Sequence, residues 1–87
     1  MDQVQELLKV ARYKMFAEDY IGAIEVYTKI IAITPDDPDL YFSRGSAQVM
    51  VGNKQAACID FGKAKNLGHE GADNIIQNYC KKEVLFL

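Results

Sequence analysis

Moved along itself by 34 residues, the sequence repeats its own side-chain sizes. Leu7 then falls on Tyr41, Ala11 on Gly45, Ala23 on Ala57 and Tyr27 on Phe61. Lys29 meets Lys63, Ile30 meets Ala64 and Ile33 meets Leu67. A fixed period of this length is the mark of stacked units that cannot bury an apolar face alone. The 87 residues therefore read as a single domain (1–87) made of two copies, 4–37 and 38–69, and a remainder. The remainder divides into a capping helix, 70–84, and an apolar tail, 85–87.

Each copy reads as two helices. In the first copy Leu7, Leu8, Val10, Ala11, Met15 and Phe16 recur at helical spacing. A break at Glu18–Asp19 offers Asp19 as the cap of a second helix, which carries Ala23, Ile24, Tyr27, Ile30, Ile31 and Ile33. Thr34–Pro35 ends it, because a residue before proline avoids helical dihedrals. Asp37 and Pro38 then restart the chain as N-cap and first helical residue. The second copy runs as helices from about Pro38 to Val51 and from about Lys54 to Leu67, with Gly52–Asn53 between them and Gly68 after. A fifth amphipathic helix follows, with Ala72, Ile75, Ile76 and Tyr79 on one stripe.

The period, together with AIEVYTKIIAITPDDPDLYFSRG and GNKQAACIDFGKAKNLG, resembles the tetratricopeptide repeats. Leu7, Val10, Ala11, Ala23, Tyr27, Ile30 and Pro35 stand at the family's signature positions in the first copy. Tyr41, Arg44, Gly45, Gly52, Ala57, Phe61 and Ala64 do so in the second. Lys14 and Gln48 depart from it where an aromatic is preferred, and His69 where a proline is. The resemblance implies an all-α, right-handed superhelical stack of helix-turn-helix hairpins, five helices in all, whose first helices line a concave face. It also implies that the face holds a protein or peptide. Small residues at Ala11, Ala23, Gly45, Ala57 and Ala64 suit helices approaching to about 8–10 Å.

On that face the resemblance places Gln5, Leu8, Arg12, Met15 and Phe16 from the first copy and Asp39, Phe42, Ser46, Val49 and Met50 from the second. Leu8, Arg12, Met15, Phe16, Phe42, Ser46, Val49 and Met50 are the expected partner contacts. Methionine and phenylalanine suit an adaptable apolar docking surface. Several of these side chains would equally serve as core beneath the capping helix. The charged clamp with which some family members hold acidic peptide tails is not kept, since its positions carry Leu8, Arg12 and Ser43. A second expectation is weak self-association through the capping helix and the apolar tail Val84–Leu87.

Catalysis is not expected. No phosphate loop, dinucleotide fingerprint, HExxH or GxSxG is present, and the one histidine, His69, has no catalytic partner at an interpretable spacing. No cofactor is expected, and no metal either, because Cys58, His69 and Cys80 lack the paired spacing of a zinc site. A net charge of −2 argues against nucleic acid, whose binders concentrate basic residues. The absence of a long apolar run argues against a membrane span, and the opening lacks a signal-peptide pattern, so a cytoplasmic setting is expected. There Cys58 and Cys80 are read as small buried hydrophobes, although a disulfide is geometrically open if the fifth helix packs on the fourth.

Overall fold

A short polar side chain opens each of the four long helices of the computed structural model, which describes residues 2–80. Asp2 accepts the Val4 amide at 3.1 Å ahead of α1 (Gln3–Phe16), and Asp19 accepts that of Gly22 at 3.0 Å ahead of α2 (Tyr20–Ile33). Asp37 takes the Asp39 amide at 3.0 Å before α3 (Pro38–Met50), with Pro38 in the first turn. Asn53 takes the Ala56 amide at 3.3 Å before α4 (Lys54–Asn66). Each bond satisfies an N–H that the helix itself leaves unpaired. The Gly22 amide, helped by the Lys14 ammonium, holds the Asp19 carboxyl below its ordinary value, so this cap stays charged well into acid.

The ends of the helices are as regular as their starts. Gly52 donates to the Val49 carbonyl at 3.0 Å and Asn53 to that of Gln48 at 2.9 Å, the paired bonds of a left-handed helix stop. The same pair recurs at Gly68 and His69 and at Glu18 and Asp19. Gly52 and Gly68 take the required positive φ freely, at 81° and 104°. Glu18 takes it with a Cβ, at φ 62°. Glu18→Gly is therefore expected to stabilise the domain by about 0.5–1 kcal/mol, the relief of left-handed strain less glycine's extra unfolded freedom. An unchanged or lower urea midpoint would show that the turn carries no such strain.

The described residues are all helical, without strands, and each helix packs on the next: α1 on α2, α2 on α3, α3 on α4, and α4 on α5 (Ala72–Ile75). The body is elongated, 46 × 25 × 18 Å. Its largest buried cluster joins Ala11, Ala23, Val26, Tyr27 and Ile30 of the first two helices to Leu40 and Ala47 of α3. A second, around Tyr41, Ala64 and Ala72, ties α3 and α4 to α5. The third gathers Ala57, Phe61 and Cys80 beneath Phe42, Val49, Ile75, Ile76 and Tyr79. Small residues sit where helices come closest. A methyl group added to Gly45 would stand 2.7 Å from the Phe61 ring and 3.2 Å from the Ala57 carbonyl oxygen.

Two expectations are corrected. The capping segment is not a uniform helix: α5 is one α-turn that passes into a π-helical turn, Ile76–Cys80. Wider i→i+5 spacing carries Cys80 back over Ile75, so that Ile75, Ile76, Tyr79 and Cys80 all join the cluster against α4. The cysteines are not free thiols: Cys58 and Cys80 form a disulfide, with Cα atoms 5.7 Å apart. The fifth element does lie on α4, and that brings the two sulfurs within reach. The end of the 70–84 capping segment and the 85–87 tail lie outside the described residues. No helix among the described residues is long and apolar enough to cross a membrane.

Candidate binding surface

Residues 34 apart occupy matching places in α1 and α3: Leu8 with Phe42, Arg12 with Ser46, Met15 with Val49, and Phe16 with Met50. The eight expected contacts divide by depth. Leu8 and Met15 are half-buried against the first cluster, and Val49 against the third. Phe42 is held on both sides. Its ring is tilted against Phe61 at 5.3 Å between centroids and stacked on the His69 imidazole at 4.1 Å. The Ser46 hydroxyl donates to the Phe42 carbonyl at 3.0 Å, within α3. These five give the surface its shape and are partly engaged by the protein itself.

The remaining three are open. Phe16 is 86% exposed and Met50 57% exposed, each at the C-terminal end of its helix. Arg12 is exposed one turn before Phe16. Large apolar side chains are ordinarily withdrawn from water, at roughly 1.5–3 kcal/mol each. Two of them nonetheless stand bare at matching places of successive hairpins.

His69 is better placed than a loop residue of no consequence. Its Nδ1 accepts the Gly71 amide at 3.1 Å, and its Nε2 faces the Asp39 carboxylate at 3.5 Å. The ring thereby braces the turn before α5 and closes one side of Phe42. No nucleophile takes part, and the arrangement is that of a spacer between α3 and α5. Among the described residues, no group of three or more His, Cys, Asp or Glu side chains could hold a metal ion.

Sequence reasoning missed the ion pair that joins the two helices of the second hairpin. Arg44 donates from Nε and Nη2 to the two oxygens of Asp60, at 2.7 and 2.8 Å, a forked contact between α3 and α4. Its Nη1 donates to the Thr28 hydroxyl of α2 at 3.2 Å. Asp60 is 3% exposed, so its charge rests on this guanidinium. The bonded carboxylate raises Arg44 above its already high ordinary value. A signal existed in the repeat itself. Arg44 matches Val10 and Asp60 matches Val26, so the second copy exchanges two apolar residues for opposite charges together.

Gln48 also carries a finding. Its Oε1 is buried without a hydrogen-bond partner among the described residues, at one of the two places where an aromatic was expected. Its counterpart Lys14 reaches Asp19 at 3.3 Å instead. No family model, curated protein or solved structure matches this chain.

Proposed function

We propose that the chain is a non-catalytic binding module, similar in build to a tetratricopeptide-repeat stack, that holds a protein or peptide on the face formed by α1 and α3. One observation carries this reading: Phe16 and Met50 stand exposed at matching places in successive hairpins. Beside them Arg12 offers a charge for orientation, while Leu8, Met15, Phe42, Val49 and Ser46 form the floor and flanks. An extended or helical peptide with two apolar anchors and an acidic group fits that chemistry. The tetratricopeptide likeness rests on the 34-residue period and on the burial of Ala11, Ala23, Gly45, Ala57, Ala64, Tyr27 and Phe61.

Selection from a displayed random-peptide library tests the reading. Wild type should enrich peptides with paired apolar anchors, and Phe16→Ser/Met50→Ser should bind them at least about tenfold more weakly, or 1.4 kcal/mol. Both substitutions replace exposed side chains, so the melting temperature should hold. Peptides retained equally by the variant would remove the face from consideration.

Self-association is the second reading, and it has its own observation. Ile21 and Ile59 are exposed on the second helices of the two hairpins, α2 and α4. A mass in sedimentation equilibrium that rises with concentration, and falls back in Ile59→Lys, would favour it over peptide binding.

A further inference from the structure

We propose that the Cys58–Cys80 disulfide is a redox latch: closed, it fastens the C-terminal cap to α4, and opened by a thiol reductant it releases the cap alone. The described part of the cap, 72–80, comprises one α-turn and one π-turn, and its α-turn has no side-chain N-cap. Single turns of helix hold their shape by packing on a neighbour rather than by their own backbone bonds. The cap packs on α4 through Ala72, Ile75, Ile76 and Tyr79. Its polar ties include a half-exposed Lys65–Asp73 ion pair at 2.9 Å and the Lys54 ammonium 4.8 Å from the Tyr79 ring centre. Exposed pairs of this kind contribute little. The covalent bond, closing a span of 22 residues at the π-turn of the cap, is the strongest constraint on it.

The two sulfurs differ in access. Cys80 is buried, and Cys58 is half-buried on the surface of α4. The thiolate of a dithiol reductant therefore attacks Cys58 Sγ. The S–S bond breaks, a mixed disulfide forms at Cys58, and Cys80 departs as a thiolate that takes a proton. The reductant's second thiolate then attacks its own sulfur in the mixed disulfide and frees Cys58. Two electrons pass to the protein, and the reductant is left as a disulfide. Protein disulfides persist in oxidising surroundings and are transient in reducing ones, so the latch reports which surroundings the chain is in. Release uncovers Phe61 and Ala57, the floor of the third cluster.

Hydrogen–deuterium exchange on the full chain, oxidised and then treated with excess dithiothreitol, decides the matter. The oxidised protein should show no reactive thiol, and the reduced protein two. On reduction, amides of 72–80 should exchange at least tenfold faster, while those in the middle of α1 and α2 keep their protection. Cys58→Ser/Cys80→Ser should match the reduced state and ignore dithiothreitol. Should that variant fail to fold, the reduced wild type gives the same readout. Unchanged protection of 72–80 after reduction would overturn the proposal, as would equal loss throughout the chain, which would make the bond a support of the whole domain. Two free thiols after air oxidation would overturn it as well.

Discussion

Phe61→Ala should lower the unfolding free energy by about 3–5 kcal/mol, read from the midpoint and slope of a urea titration. Phe61 is fully buried and, with Ile30, the largest such side chain. Its ring lies on Gly45, touches Phe42 and supports the cluster that receives the cap. Truncation to a methyl leaves a void that backbone on the Gly45 and Ala57 side cannot readily fill. Domains of this size have only about 4–13 kcal/mol in total, so the variant stands near the edge of folding. Gly45 supplies a control of opposite logic. Gly45→Ala alone should destabilise, because its methyl collides with the ring, whereas in a Phe61→Leu background the same methyl has room and the cost should shrink. A loss below about 1 kcal/mol for Phe61→Ala would show that the ring is not central to the core.

Arg44→Met should cost about 3 kcal/mol by the same measurement, nearly as much as the loss of the ring. The stem of Arg44 is largely reproduced by methionine, so packing changes little. What changes is Asp60, whose carboxylate would remain beneath the surface with both of its donors gone. The double variant Arg44→Met/Asp60→Leu should recover to within about 1 kcal/mol of wild type, because a buried ion pair and an apolar pair of similar volume are close in free energy. The first copy carries apolar residues at both corresponding positions, Val10 and Val26, of which Val26 is buried. If the double variant is as unstable as the single one, the fork contributes more than the charge balance assigned to it.

The helices were legible because their determinants are local. Asp19 and Asp37 as caps, Pro38 at a first turn and Gly52–Asn53 as the turn between two helices act within a few residues. The small and aromatic positions were legible because the second copy restates them, as Tyr27 and Phe61 show. The disulfide was not: a separation of 22 residues is silent until the fifth element is known to lie on α4 rather than elsewhere. The π-turn was hidden for a related reason, since only the contact with α4 rewards a wider spiral. For the candidate binding face, the tetratricopeptide resemblance put Leu8, Phe42 and Phe16 on one side of their helices. It could not tell which of them the cap and His69 would engage, and so missed that Phe42 is held while Phe16 is bare.

The seam between the two hairpins has a consequence for how the molecule comes apart. Leu40 and Ala47 of α3 belong to the same buried cluster as Tyr27 and Ile30 of α2, and the Arg44 guanidinium bonds to residues on both sides. Linear arrays often shed their end units first. In this chain, detaching the first hairpin would wet the middle of the largest cluster and bare Leu40 and Ala47 of the second. Heat should therefore take both halves together, in one all-or-none melt, with no half-folded survivor to expose its interior to aggregation or to proteases.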